Sequence, residues 1–243
     1  MTPQEERRFP LLYKASTEST NDDARAWAQQ GAEHGTVVWA EVQTKGRGRR
    51  GAAWMSQSHE SLAFSVILRP KFSRALWPRI SLICGLAVCK VLEKHGLIAE
   101  VKWPNDVMVQ QKKVCGILIE ASESAVIAGI GINVNVSDFP NELKSIATSM
   151  LIECGKNFDR QEILSEIQQS LIRHLLRVDN DFTSIIQELR ERCYLTGKSV
   201  RMLVANQEMQ GTVQGIGKNG ELMIDHAGRR ECYLQADEIR IVS

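Results

Sequence analysis

Hydrophobic positions along this chain recur first at helical and then at strand spacing, and the switches between the two mark out its elements. Ala24, Trp27 and Ala28 form a helical stripe. Ser19-Thr20-Asn21-Asp22-Asp23 supply cap residues and first-turn acids before it, and Gly31 closes it. Residues 36–42 and 62–68 read as strands, the second stopped by Pro70. Leu76, Ile80, Ile83, Ala87 and Val91 return to helical spacing, so a second helix is expected to end at His95-Gly96. Short strands follow at 99–103, 106–109, 113–121 and 125–136, and the Gln110-Gln111-Lys112 break makes the middle two a hairpin.

Asp159 and Glu162 form a capping-box pattern that opens a helical region reaching about Cys193, with a break near Asp179. After Thr196-Gly197 the pattern changes. Five short strands at 200–205, 208–213, 221–224, 230–233 and 239–242, with Gly- and Asn-containing turns, suit a small five-stranded barrel. The expected fold class is α/β (α+β), with one unit at residues 1–195 and a smaller one at 196–243.

Composition narrows this picture. A chain of 243 residues, 43% hydrophobic and 24% charged, supports a well-buried core. A formal net charge of +1 argues against bulk electrostatic binding of nucleic acid, so any basic site must be local. Cys84, Cys89, Cys115, Cys154, Cys193 and Cys232 include no C-x-x-C pair, which suggests neither a zinc site nor a disulfide framework. Several lie in apolar runs, where cysteine acts as a small hydrophobe. The segment from Met1 to Pro10 is polar and charged, unlike a secretory signal. No apolar run approaches the roughly eighteen residues that span a bilayer. A reducing, cytoplasmic compartment is expected.

Local chemistry is concentrated in a few segments. Gly46-Arg47-Gly48-Arg49-Arg50-Gly51 puts three arginines and three glycines in six residues. Backbone N–H groups and guanidinium groups converging in this way suit a phosphate-bearing ligand. The segment matches G-x-G-x-x-G, but Trp54 and a strand follow where a dinucleotide loop needs a helix. Its outer glycines have P-loop spacing, but Ala52-Ala53 stand where Lys-Ser/Thr is required. A solvated basic turn is the plain alternative. A second G-x-G-x-x-G, from Gly215 to Gly220, reads as a hairpin turn.

Lys102-Trp103-Pro104-Asn105-Asp106 follows a strand, and Pro104 biases Trp103 toward an extended geometry. Asn105 and Asp106 are then presented at a bend, where an Asp can bind magnesium or steer an incoming amine. Taken alone, the segment reads better as a plain Pro-Asn-Asp turn. Lys113 opens an apolar strand in which Gly116 suggests close approach by a ligand or another backbone. Gly129 and Gly131 would leave an open slot in the next strand, and Asn133 could read a polar head group; a tightly packed central strand explains them too. Ser19-Thr20-Asn21 is either an ordinary cap or a site for a neutral carbonyl-type ligand.

In order along the chain, Ser-Thr-Asn, G-R-G-R-R-G, Trp54, K-W-P-N-D, K-x-x-G-I-L-x-E and G-x-G-I-N-x-N closely resemble the motifs of the biotin–protein ligases. The resemblance covers about residues 16–136 by motif, and the tail is similar to the family's C-terminal domain in size and pattern. It implies a mixed sheet flanked by helices, like the catalytic domain of class II aminoacyl-tRNA synthetases, followed by an SH3-like β-barrel. It also implies a two-step reaction. Biotin and ATP, the latter with Mg2+, give biotinyl-5′-AMP and pyrophosphate. The adenylate then acylates one lysine of the biotin carboxyl carrier protein of acetyl-CoA carboxylase.

Carried over to this sequence, Ser19, Thr20, Asn21 and Gln43 should contact the biotin ureido region, with Gly46, Gly48 and Gly116 also on the biotin side. Arg47 and Arg49 should hold carboxylate and phosphates in a loop that closes over the adenylate. Arg50, Lys102 and Asn105 should face the nucleotide, with Trp54 and Asn133 lining its adenine side. Lys113, Arg49 and Asp106 are the expected catalytic residues, with Lys113 on the biotin carboxylate and α-phosphate, and with Asn105 and Asp106 serving magnesium and the target lysine.

After Trp54 the family usually runs Ser-Pro-x-Gly, often with Asn-Leu-Tyr; here the run is Ser56-Gln57-Ser58-His59-Glu60-Ser61-Leu62-Ala63. The wall of the site near Gln57, His59, Ser61 and Ala63 is therefore expected to differ. Members that repress transcription carry a DNA-binding domain in front, whereas only a short segment precedes Ser19 here. Neither DNA nor a membrane is expected as a partner, and a homodimer paired along sheet edges stays open. The alternatives are a lipoate–protein ligase, expected to lack this form of the two charged motifs, and a non-catalytic biotin-binding module, against which Lys113 and Asp106 argue.

Overall fold

The computed structural model describes residues 9–56, 58–123, 125–205 and 207–242. Residues 1–8 of the segment read as non-secretory, and Gln57 in the run after Trp54, lie outside them. The first half of the chain supplies β1 (Leu11–Thr17), α1 (Thr20–Gln29), β2 (Val37–Gln43), β3 (Ser61–Leu68), α2 (Arg79–Lys94), β4 (Ala99–Lys102), β5 (Asp106–Val109), β6 (Lys112–Ala121) and β7 (Val126–Asn133). The strands make one mixed sheet in the order β1-β2-β3-β7-β6-β5-β4, with β1 parallel to β2 and the other neighbours antiparallel. Helices α3 (Met150–Cys154), α4 (Arg160–Leu176) and α5 (Phe182–Glu191) follow.

Strand alternation divides the two faces of this sheet. Leu62, Phe64, Val66 and Leu68 of β3 and Val126, Ala128, Ile130 and Ile132 of β7 point into a layer with α2, α4 and α5. Burying each large aliphatic chain there contributes roughly 1.5–3 kcal/mol. Helix α2 packs closely because Gly85 would place a Cβ only 3.4 Å from Val101, and the helix stops where Gly96 takes φ +89°. The opposite face is covered at one end by α1, whose Ala24 and Ala28 pack on Val38, Ile67 and Ile127. Farther along the same strands, Ser65, Gly129 and Gly131 fall on that face beyond the helix. The N-terminus of α1 therefore ends beside a stretch of sheet that no helix among the described residues covers.

Asp159 caps α4 by accepting from the N–H groups of Gln161 and Glu162, and the chain breaks between α4 and α5 at residues 177–181, as the pattern predicts. Strand β1 and the short α3 were not anticipated. Strand β1 alternates only between half-buried and exposed residues at the sheet edge, so its pattern is faint. Strand β7 ends at Asn133 rather than at 136, because side-chain bonds take over from the ladder. Asn133 donates to the Thr148 carbonyl, and Asn135 both donates to the Phe158 carbonyl and accepts from its N–H.

The tail forms β8 (Ser199–Val204), β9 (Gln207–Ile216), β10 (Leu222–His226), β11 (Arg229–Tyr233) and β12 (Glu238–Ile241), antiparallel in the order β11-β10-β9-β8-β12. The expected barrel is not closed. Among the described residues no ladder joins β11 to β12, because residues 234–237 between them turn toward the main sheet, where Ala236 is buried. The Gly215–Gly220 segment is the β9–β10 hairpin. Val200, Met202, Val213, Ile216, Leu222 and Ile224 join the same apolar cluster as α2 and α5. Among the described residues no helix is long and apolar enough to cross a membrane.

Candidate active site

The stretch of sheet beside the α1 N-terminus carries two cross-strand rows. Ala63, Gly131, Gly116, Asp106 and Lys102 stand opposite one another across β3, β7, β6, β5 and β4, and Ser65, Gly129 and Leu118 form the next row. The slot expected at the glycines is not open. A Cβ on Gly129 would lie 2.2 Å from Asn21 Oδ1, and one on Gly131 would lie 2.2 Å from the Trp54 ring. At Gly116 the nearest neighbours of a would-be Cβ are the side chains of Lys113 and Trp54, both at 3.1 Å. The glycines thus seat three of the site's own side chains, Asn21, Trp54 and Lys113.

At the α1 N-terminus, Ser19, Thr20 and Asn21 are all buried. Gln43 Oε1 accepts from the Thr20 N–H at 2.8 Å and from its hydroxyl at 3.0 Å, which satisfies one of the helix's orphan donors. Ser65 Oγ lies 2.8 Å from Thr20 Oγ1 and 2.6 Å from Asn21 Oδ1, while Asn21 Nδ2 donates to Glu120 at 2.7 Å. This corner is neutral and dense in amides and hydroxyls.

The arginine loop closes on itself through Gly48 N–H to the Ala52 carbonyl and Trp54 N–H to the Gly46 carbonyl. Gly46 is needed where it stands, because a Cβ there would meet the Trp54 carbonyl at 2.5 Å. Arg47 makes a two-pronged bond to Asp22 at 2.7 Å on each oxygen and reaches Glu120 at 3.2 Å. The Arg47 hydrogen bond holds the Asp22 carboxyl below its ordinary range, and the same bond raises the Arg47 guanidinium. Arg49 donates to Asn105 Oδ1 at 3.3 Å and to the Ala236 carbonyl at 2.7 Å; burial lowers its pKa, partly offset by Asp106 and Asp237. Arg50 lies 3.6 Å from Asp237.

In the K-W-P-N-D segment Trp103 is buried, donates to the Gly220 carbonyl and precedes a cis peptide bond to Pro104. Asn105 sits in the turn and donates to the Ile117 carbonyl at 3.0 Å; Asp106 opens β5 and pairs with Lys113 at 2.7 Å. These groups surround a cleft of about 260 Å³ that is lined by Ser19, Thr20, Asn21 and Gln43 together with Arg49, Lys102, Asn105, Asp106 and Lys113. Gly48, Arg47 and Arg50 line it as well, and Ala236, Asp237 and Glu238 close one wall.

Asn133 does not face this cleft. It lines an adjoining cavity of about 410 Å³ with Phe139 and Leu143, and Trp54 and Lys113 border both spaces. Of the run that departs from the family pattern, Ser61 lines the second cavity and Ala63 belongs to the floor row. His59 points outward while its N–H bonds Glu41. Sequence reasoning missed Asp22, Glu120, Ser65, Ala236 and Asp237. Ser65 had a signal, a hydroxyl in the otherwise apolar run Ser-Leu-Ala-Phe-Ser-Val-Ile-Leu. Asp22 looked like any first-turn acid, and nothing marked Ala236 or Asp237.

Known proteins resemble this chain in sequence and in fold. The sequence profile described as the Biotin/lipoate A/B protein ligase family matches residues 13–137. The bifunctional ligase/repressor BirA of Bacillus subtilis is 35% identical over 92% of this chain and 72% of its own. The biotin–[acetyl-CoA-carboxylase] ligase of Mycobacterium tuberculosis is 33% identical over 93% of this chain and 87% of its own. In three dimensions, a biotin protein ligase from Aquifex aeolicus in complex with biotin and ATP matches with a TM-score of 0.88 at 32% identity, over 96% of this chain and 99% of that one. The chain belongs to the biotin/lipoate A/B protein ligase family.

Proposed function

We propose that this protein is an ATP-dependent biotin–protein ligase, which forms biotinyl-5′-AMP and transfers biotin to a lysine of a biotin carboxyl carrier domain. One observation carries the reading: a single cleft joins a neutral amide-and-hydroxyl corner to a cluster of cations. A ligand with a polar, uncharged head and a carboxylate tail fits that division. Attack of the tail carboxylate on the α-phosphorus of ATP brings two anions together and expels pyrophosphate, so positive charge must be concentrated where they meet.

Ser19, Thr20, Asn21 and Gln43 take the ureido head, beside Gly46, Gly48 and Gly116. Lys113, Arg47 and Arg49 take the carboxylate and α-phosphate, and Arg50, Lys102 and Asn105 line the nucleotide path. Trp54, bordering both spaces, receives the adenine, with Asn133 across the adjoining cavity. The arginine loop closes over the adenylate and keeps water out. Once Lys113 turns to the phosphate, Asp106 is released to take a proton from the target lysine's ammonium group, which leaves a free amine to attack the acyl carbon. That amine displaces AMP.

Magnesium enters with ATP. Among the described residues no group of three or more His, Cys, Asp and Glu side chains is placed to hold an ion, so Asp106 would share it with phosphate oxygens and water. The reading takes residues 196–243 as a separate C-terminal unit and the carrier protein of acetyl-CoA carboxylase as acceptor, in the cytoplasm, without DNA or membrane. Half-exposed Leu11 and Tyr13 make β1 the edge along which a homodimer would pair. Pyrophosphate exchange with biotin or with lipoate, followed by transfer to a carrier domain, tests the core of the reading. Exchange with lipoate alone overturns it.

A further inference from the structure

Arg47 is held by carboxylates while it waits for an anion, and a second arginine is bonded to the same oxygen atoms. Arg25, one turn into α1, donates through Nη1 to Asp22 Oδ1 at 3.1 Å and pairs through Nη2 with Glu120 Oε2 at 3.0 Å. Arg47 uses those two oxygens as well, at 2.7 and 3.2 Å. Asp22, Glu120, Arg25 and Arg47 thus form a quartet with no net charge. The neighbouring Asp23 stands apart, bonded to Lys14 and Thr17. Arg25 is not among the residues that line the cleft, whereas Arg47 is.

If Arg47 swings to an incoming carboxylate or phosphate, two carboxylates are left side by side, which is unfavourable without a counter-charge. Arg25 already supplies one, with no rearrangement. We propose that Arg25 is a positioning residue: by keeping Asp22 and Glu120 neutralised, it makes Arg47 exchangeable between its resting carboxylates and the anionic part of the substrates. The inference rests on the ligase reading above. Its sign is fixed by charge counting. Without Arg25, two carboxylates share one cation, and Arg47 is held more tightly and competes less well for substrate.

The test is steady-state pyrophosphate exchange by the full chain, with biotin and ATP varied separately, for the wild-type protein and for Arg25→Met, Arg25→Lys and the double variant Arg25→Met/Asp22→Asn. The Met variant should raise KM for the anion that Arg47 meets by about three- to tenfold, the scale of a half-exposed ion pair, with kcat within about twofold. A rise for biotin assigns Arg47 to the carboxylate, and a rise for ATP assigns it to phosphate. Lysine should restore most of the affinity, and so should Asp22→Asn, which removes one of the two retaining charges. Thermal unfolding checks that the half-exposed position leaves the fold intact. An unchanged KM in Arg25→Met overturns the inference, as does a rise that neither lysine nor Asp22→Asn reverses. Absence of exchange in the wild-type protein overturns the ligase assignment itself, and this inference with it.

Discussion

The floor of the cleft and the loop above it are positioned by opposite means. The floor is β3, β7 and β6, each paired on both edges and backed by fully buried Phe64, Ile130 and Ile132, so Gly129 and Gly131 cannot shift without disturbing the core. The loop is held by three backbone bonds of its own and by guanidinium contacts to Asp22, Glu120, Asn105 and the Ala236 carbonyl. Partly exposed ion pairs such as those of Arg47 with Asp22 and Glu120 contribute about 0–1 kcal/mol each. One side of the ligand therefore meets a surface fixed by packing, and the other meets charges that can change partners. A reaction that must bind, enclose and later release an intermediate needs both.

The sharpest way to test the division is to remove the cation that rises from the floor. Lys113→Ala should lower adenylate formation by about a thousandfold or more, in line with loss of a group aimed at developing charge, with little change in thermal stability. Full activity in that variant would sink the role given to Lys113. Next in size is Gly129→Ala. Its Cβ would meet Asn21 Oδ1 at 2.2 Å, so we expect a loss of about 1–3 kcal/mol in stability and weakened binding of biotin by calorimetry. Normal affinity would show that the floor yields, and the contrast with the loop would fail.

Arg49→Ala should behave in the opposite way to Gly129→Ala. It detaches the loop from Asn105 and the Ala236 carbonyl, so turnover should fall by about tenfold while the unfolding midpoint stays nearly unchanged. The smallest effect concerns acid. The Arg47 hydrogen bond depresses the folded-state pKa of Asp22, so this contribution is present above the ordinary carboxylate value of about 4 and is lost as pH falls through the depressed value. Protease cleavage within residues 46–51 should therefore be flat from neutral pH down to about 4 and rise below it. A rise beginning near pH 6 would point to a different latch.

The sequence made the floor and the charged motifs legible and left their mutual contacts hidden. Helical and strand spacing located α1, β2, β3, α2 and all five strands of the tail because each buries one face against a large core. It missed β1, which lies at an edge and buries little. Lys113 and Asp106 were picked out as chemical groups, but their 2.7 Å pairing depends on the β5–β6 register, which no local pattern encodes. Gly116 was marked as a site of close approach, whereas Gly129 and Gly131 were read as an open slot that the structure fills. What approaches them, Asn21 from a helix N-terminus and the Trp54 ring from the arginine loop, is decided by tertiary packing. The tail's five strands were visible as well, yet whether they close into a barrel depends on where residues 234–237 go.

The bond from Arg49 to the Ala236 carbonyl spans 187 positions of sequence. At about 5–20 residues per second, the ribosome reaches the second partner roughly 10–40 seconds after the first. Through that interval the floor can already be assembling from strands made early, while the loop lacks its bond to the Ala236 carbonyl. A nascent chain is therefore expected to acquire a binding surface before it acquires a well-held cover. Competence for the reaction should appear as a late, separate event in synthesis.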